Sequence, residues 1–120
     1  MLVVDDDRGV RRLTARMLRA EGYHVLEAGS GVEALRTLES DPSIRLVVTD
    51  IVMPEIDGLA LADQAMAGSP HLRVVLMTGH APELTAQLEL RDSSLPVLLK
   101  PFTGEQLLGK VRETLSGGGH

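Results

Sequence analysis

Short apolar runs alternate along the chain with longer segments in which apolar residues recur every three or four positions. The short runs have the length and β-branched character of strands, and they lie at residues 2–4, 24–28, 46–50, 73–77 and 97–99. The longer segments have helical periodicity, and they lie at residues 8–21, 31–41, 58–67, 82–90 and 104–115. The pattern therefore predicts five strands that alternate with five helices.

Local signals mark the ends of several of these helices. Asp6 or Asp7 can cap the first helix and Gly22 can end it. Capping boxes open two further helices and consist of Ser30 with Glu33 and of Thr103 with Gln106. The periodicity predicts inward positions at Val10, Leu13, Met17, Leu18, Val32, Leu35, Leu38, Leu59, Ala62, Met66, Leu84, Leu88, Leu107, Leu108, Val111 and Leu115.

This alternation of strands and helices indicates an α/β fold. Strands that are apolar throughout are typical of a parallel sheet covered by helices on both faces. Right-handed crossover connections bring the carboxyl ends of all the strands to one edge of the sheet. Ligands of such sheets bind in the crevice beyond that edge, so residues that follow the strands are the candidates for chemistry.

Four of the five predicted strands end in reactive side chains. The first is followed by Asp5 and Asp6, the central one ends at Asp50, and the last two are followed by Thr78 and Lys100. Each has an ordinary structural explanation when it is taken alone: a helix cap, a loop hydrogen bond, a β-forming residue or a solvated lysine. Their coincidence at one sheet edge favours a functional site.

Three carboxylates in a small volume repel one another, and a divalent cation with oxygen ligands removes that conflict. Magnesium, or manganese in its place, suits a site that keeps several waters. A carboxylate beside such a metal can act as nucleophile toward a phosphoryl group. Lys100 would supply positive charge for the phosphoryl oxygens, and Thr78 would supply a hydroxyl donor.

Composition narrows the class of protein. The 120 residues fit one domain, and the chain has no cysteine, so a disulfide framework or a Cys-ligated zinc site is excluded. The net charge of −5 and the presence of only two aromatic residues disfavour direct nucleic-acid binding. With no membrane-spanning run and no signal peptide in the sequence, we expect a cytoplasmic domain over residues 1–116, with residues 117–120 as a disordered tail.

The motifs at the strand ends resemble those of the receiver domains of two-component response regulators. The resemblance rests on Leu2-Val3-Val4-Asp5-Asp6, on Asp50 with Met53-Pro54 and Asp57-Gly58, on Met77-Thr78-Gly79, and on Lys100-Pro101-Phe102. These motifs occur in the family's order and cover essentially the whole chain. Each motif alone is weak evidence, whereas the complete set is specific.

The resemblance implies a flavodoxin-like, doubly wound five-stranded parallel sheet of order 2-1-3-4-5, with five helices. It implies that Asp50 accepts a phosphoryl group from the phosphohistidine of a histidine kinase or of a histidine phosphotransfer domain. Asp5, Asp6, Asp50 and the backbone carbonyl of Val52 would bind the magnesium, and Thr78 and Lys100 would hold the phosphoryl oxygens. The Lys100–Pro101 peptide bond would be cis. The domain would be an enzyme only in catalysing its own phosphorylation and dephosphorylation.

One position departs from the family pattern, because Val97 stands where many members carry Tyr or Phe. Receivers that belong to hybrid histidine kinases often lack this aromatic residue, so both a stand-alone receiver and the receiver of a hybrid kinase stay open. A phosphorylation-independent adaptor is the main alternative function. A small phosphatase of the haloacid-dehalogenase type, with Asp5 and Asp7 as its motif, is a weaker one.

The first predicted helix also carries arginines on one side. Arg8, Arg12, Arg16 and Arg19 recur at helical spacing. Such a stripe is usually just a solvated surface. In receivers this helix lies beside the acid pair, so we predict that Arg8, Arg12 and Arg16 help to dock an acidic partner. A homodimer is a further expectation that the sequence leaves open.

Overall fold

The structure is a computed structural model that describes residues 1–79 and 95–117. Its strands are β1 (Leu2–Val4), β2 (Leu26–Ala28), β3 (Leu46–Asp50), β4 (Arg73–Thr78) and β5 (Val97–Leu99). Its helices are α1 (Arg8–Ala20), α2 (Gly31–Ser40), α3 (Gly58–Gly68) and α4 (Gly104–Gly117). The predicted helix at 82–90 and most of the predicted tail lie outside the described residues.

The five strands form one parallel sheet in the order β2-β1-β3-β4-β5. The predicted flavodoxin-like topology is therefore confirmed. β2 begins two residues later than expected, at Leu26, while β4 extends one residue further, to Thr78. Because every strand runs in the same direction, the residues that follow β1, β3, β4 and β5 meet at one edge of the sheet.

The helix caps follow the sequence signals closely. The carboxylates of Asp7 and Asp57 accept hydrogen bonds from the first turns of α1 and α3, so Asp7, not Asp6, is the cap of α1. Ser30 caps α2 by accepting from the amide of Glu33. Thr103 and Gln106 form the reciprocal hydrogen bonds of a capping box before α4.

The buried core lies in two layers, one on each face of the sheet. Two leucines that were predicted to be buried are exposed: Leu13 is 52% exposed and Leu115 is 39% exposed. Thr14 and Thr114 are buried beside them, because each hydroxyl donates to a backbone carbonyl of the preceding helical turn at 2.7 Å. A threonine satisfied in this way can occupy a core position, and the neighbouring leucine is then left at the helix margin.

Candidate functional site

The first part of the site is formed where β1 ends. Asp5 is completely buried. One of its carboxylate oxygens accepts a hydrogen bond from the amide of Asp7 at 2.9 Å, and the other lies 2.9 Å from Nζ of Lys100. Asp6 is exposed, and its side chain accepts no hydrogen bond from the residues that the structure describes. The two neighbouring acids therefore have different environments, with Asp5 buried and held by two contacts and Asp6 accessible to solvent.

The central acid of the site is the last residue of β3. Asp50 is 9% exposed, so its charge is largely removed from water. The loop after it turns back to α3, where the amide of Gly58 donates to the carbonyl of Ile51 at 2.8 Å. A side chain at Gly58 would stand 2.3 Å from the carbonyl oxygen of Asp50. The Asp57-Gly58 pair thus supplies a helix cap and the close approach that seats the loop against Asp50.

β4 and β5 contribute the remaining polar groups. Thr78 is buried and follows Met77, the residue that pairs with Asp50 across the β3–β4 ladder. The amide of Lys100 donates to the carbonyl of Thr78 at 2.7 Å, which joins the two strand ends. Nζ of Lys100 lies 3.5 Å from a carboxylate oxygen of Asp50. The peptide bond between Lys100 and Pro101 is cis in the structure.

The electrostatics of the site follow from this crowding of acids. Burial raises the pKa of Asp50, Lys100 opposes that rise, and the charges of Asp5 and Asp6 add to it. Burial alone would lower the pKa of Lys100, but its contacts with Asp5 and Asp50 outweigh burial and raise the pKa overall. Lys100 therefore stays charged, while the three carboxylates are not fully balanced by protein groups.

The acids have the arrangement of a cation site. Each of Asp5, Asp6 and Asp50 offers a carboxylate oxygen, and these oxygens lie within 4.8 Å of one another. An all-oxygen donor set with one exposed member suits a hard cation that keeps bound water. Val52, whose carbonyl was predicted as a further ligand, lies in the loop after Asp50 with its side chain 53% exposed. The donor set therefore fits magnesium.

The surface beside these acids has an apolar part that sequence reasoning missed. The exposed Leu13 joins Val10, Met17 and Phe102 around a groove of about 400 Å³ that reaches Lys100 and Gly79. The sequence feature that could have indicated this groove is the row of apolar residues on α1, all of which we predicted to be buried. The groove opens next to the carboxylates, so a partner lying in it would be close to Asp50.

The arginines of α1 divide into three groups. Arg8, Arg12 and Arg16 are exposed, as predicted for a docking surface. Arg19 is exposed as well, but it donates to the carbonyl of Val25 and pairs with Glu27. Arg11, which the sequence did not single out, lies against the backbone of the acid pair. Of the four arginines in the predicted stripe, Arg19 therefore has its charge paired within the domain.

The raised pKa of Asp50 predicts a pH-dependent gain in stability for Asp50→Asn without metal. An acid whose pKa is raised on folding stabilises the fold only at low pH, and that contribution is lost as the pH rises through the raised value. At pH 7 in a chelator, we expect the variant to be more stable than the wild type by roughly 1 kcal/mol. Urea unfolding between pH 7 and pH 4 should show this gain shrinking at the acid end. A wild type that is more stable than the variant at pH 7 would contradict the electrostatic account.

Among residues 1–79 and 95–117, none of the helices combines the length and the apolar character needed to cross a bilayer. The fold and site together define an α/β domain with an acid cluster and a lysine at the carboxyl edge of its sheet. Residues 1–112 match the response regulator receiver domain family. The chain belongs to that family, and it is a receiver domain of two-component signalling, the class whose members act as phosphoacceptor switches.

The proteins that contain a similar domain differ in length. The chain is 37% identical over 116 residues to the sensor kinase CckA of Brucella abortus, covering 96% of this chain and 12% of that protein. It is 36% identical over 119 residues to the response regulator receiver protein CpdR of the same organism, covering 96% and 95%. The chain thus spans a small part of one of these relatives and nearly the whole of the other.

Solved structures agree with the fold. The receiver domain of NtrX from Brucella abortus is 34% identical, with a TM-score of 0.84 and coverage of 95% of this chain and 96% of that one. A receiver domain protein from Clostridium thermocellum is 28% identical, with a TM-score of 0.86 and coverage of 98% and 94%. The agreement extends over nearly the whole of both chains.

Proposed function

We propose that Asp50 accepts a phosphoryl group from the phosphohistidine of a histidine kinase or a histidine phosphotransfer domain, in a magnesium-dependent reaction. The observation that carries the proposal is the cluster of three carboxylates with oxygens within 4.8 Å, faced by Lys100. Asp50 is the member best suited to act as nucleophile, since it ends the central strand. Both carboxylate oxygens of Asp5 are already engaged, one by the amide of Asp7 and the other by Lys100.

The other residues divide the remaining tasks. Asp5, Asp6, Asp50 and the carbonyl of Val52 would hold the cation, which supplies positive charge for the phosphoryl oxygens when it is bound. Lys100 is held between Asp5 and Asp50, so its ammonium is in place before a phosphoryl group arrives. Thr78, at the end of β4 next to the strand of Asp50, would donate its hydroxyl to a phosphoryl oxygen. In the transfer, the bond from Asp50 to phosphorus forms as the bond from phosphorus to the histidine nitrogen breaks.

The partner would dock on α1 and on the loop after β5. The exposed Arg8, Arg12 and Arg16 offer positive charge to an acidic surface. The groove between Leu13 and Phe102 offers an apolar contact beside Lys100. A helix that carries an apolar stripe and a phosphohistidine would satisfy both features, because the groove and the acids adjoin.

The proposal also covers the cellular location of the domain, its binding to nucleic acid and its oligomeric state. We place it in the cytoplasm, where the phosphohistidine donors of two-component systems act. The net charge of −5 argues against direct binding to nucleic acid. Leu99 is 52% exposed on the edge strand β5 and could provide an apolar contact in a homodimer.

The partner step can be tested with a histidine phosphotransfer protein carrying a labelled phosphohistidine. We expect the label to move to this chain when magnesium is present. The initial rate should fall as salt is raised, because exposed charges steer the encounter. A chain that accepts no label from several such donors, yet binds them, would instead be a phosphorylation-independent adaptor.

Replacing both Arg12 and Arg16 with glutamine should slow this transfer by roughly threefold to tenfold at low salt. The matched control is the double variant Arg36→Gln and Arg45→Gln, which removes the same charge from α2 and from the residue just before β3. We expect the control to transfer at the wild-type rate. Equal slowing in both double variants would show that net charge, and not a docking surface on α1, controls the encounter.

A further inference from the structure

Arg11 connects the acid pair to the neighbouring strand. Its Nη1 donates to the carbonyl oxygen of Asp5 at 2.9 Å. Its Nε lies 3.4 Å from a carboxylate oxygen of Glu27, a residue of β2. Only 17% of the Arg11 side chain is exposed, and the guanidinium packs so closely over Gly29 that a side chain there would stand 3.2 Å from Nη1.

The carbonyl of Asp5 is a group whose direction matters to the site. The ladders of β1 with β2 and β3 extend to Val4, and Asp5 makes one further backbone bond, from its amide to Ala28. The peptide that joins Asp5 to Asp6 is planar, so holding its oxygen fixes the orientation of the whole unit. The side chain of Asp6 has no hydrogen bond to the described residues that could fix it independently. Its starting direction therefore depends on this peptide.

We infer that Arg11 is a positioning residue for the cation site, because it fixes the Asp5–Asp6 peptide so that both carboxylates face the same point. Glu27 holds the guanidinium in turn and is itself paired with Arg19 at 3.2 Å. This inference rests on the proposed function of the acid cluster. Arg11 on α1 and Glu27 on β2 would not touch the cation themselves. They would affect its binding by holding the backbone of Asp5 in place.

Electrostatics and positioning predict opposite results when the charge of Arg11 is removed. A guanidinium near a cation site repels the cation, so its loss would by charge alone strengthen magnesium binding. Loss of the hydrogen bond to Asp5 would leave the peptide free to rotate and would weaken binding. Outer residues that orient metal ligands are commonly worth tenfold or more in affinity, so we expect the positioning effect to dominate.

The test is isothermal titration of magnesium into the whole chain, as wild type, Arg11→Gln, Arg11→Lys and Arg45→Gln. We expect Arg11→Gln to raise the Kd about tenfold and Arg11→Lys, which keeps a donor and the charge, to raise it less. Arg45→Gln removes the same charge at the amino end of β3, the opposite edge of the sheet, and should leave the Kd unchanged.

Urea unfolding with and without magnesium separates positioning from general support of the fold. A tenfold weaker Kd reduces the stabilisation by saturating magnesium by about 1.4 kcal/mol, whatever happens to the stability without metal. An Arg11→Gln variant that loses stability without metal but binds magnesium as tightly as the wild type would overturn the inference. If Arg11→Gln does not fold, an unchanged Kd in Arg11→Lys together with normal stability would do so. A wild type that binds no magnesium would instead refute the proposed function.

Discussion

Asp50→Ala is expected to abolish phosphoryl uptake from a small phosphodonor such as acetyl phosphate. The wild type should gain one phosphoryl group per chain in the presence of magnesium, and the variant should remain at background. The reason is geometric, since Asp50 is the carboxylate at the end of the central strand and lies 3.5 Å from Lys100. Intact-protein mass spectrometry measures the gain directly.

The matched control for this variant is Asp57→Asn. Asp57 lies in the same loop and caps α3 through its carboxylate oxygen. Asparagine caps helices about as well as aspartate, so this variant should fold and be labelled like the wild type. Removing magnesium with a chelator should stop labelling in both. Full labelling of Asp50→Ala would show that another residue is the acceptor.

Gly58→Ala is expected to destabilise the domain by about 2–3 kcal/mol, the upper range for overpacking a closed site. A methyl group there would lie 2.3 Å from the carbonyl oxygen of Asp50 and 2.8 Å from Cα of Ile51. Both contacts are with backbone, which cannot rotate away as a side chain can. The loop that carries Val52 must then move, so phosphoryl uptake should fall as well. Urea unfolding and the labelling assay measure the two effects.

Gly109→Ala is the matched control, and it should change the free energy of unfolding in the opposite direction. Gly109 lies inside α4, and a methyl group there would meet nothing within 4 Å. Alanine is favoured over glycine in a helix interior, so we expect a gain of about 0.5–1 kcal/mol without any change in labelling. A loss of stability in Gly58→Ala no larger than that of an ordinary surface substitution would contradict the close approach of α3 to Asp50.

The sequence could predict the fold and the meeting of the acids because both depend on regular patterns. Strand ends are easily recognised when an apolar run stops at an acid, as at Asp50. A parallel sheet then places all such ends at one edge. The direction of each side chain at that edge depends on loop geometry, which the pattern does not contain. The buried state of Asp5 and the exposed state of Asp6 could not have been predicted, although the two acids are adjacent.

The errors in α1 have a common physical cause. Hydrophobic periodicity treats leucine as buried and threonine and arginine as exposed, but a side chain that satisfies its own polar atoms can be buried. Thr14 does so through the carbonyl of Val10. Arg11 is largely buried because its Nη1 donates to the carbonyl of Asp5 and its charge is paired with Glu27, although its Nε makes no hydrogen bond to the described residues. Leu13 is consequently exposed at the groove. The exposed surface of α1 therefore contains a leucine that the polarity pattern places in the core.

A crystal structure with beryllofluoride and magnesium tests most directly whether Asp50 is the acceptor and whether magnesium is held beside it. Beryllofluoride imitates a phosphoryl group on a carboxylate. We expect beryllium to be bound to Asp50, with the fluorines near Thr78 and Lys100. Magnesium should contact Asp6, Asp50 and the carbonyl of Val52. It should also contact Asp5, either directly or through a water molecule. Beryllofluoride bound to Asp5 or Asp6, or magnesium bound away from these carboxylates, would contradict it.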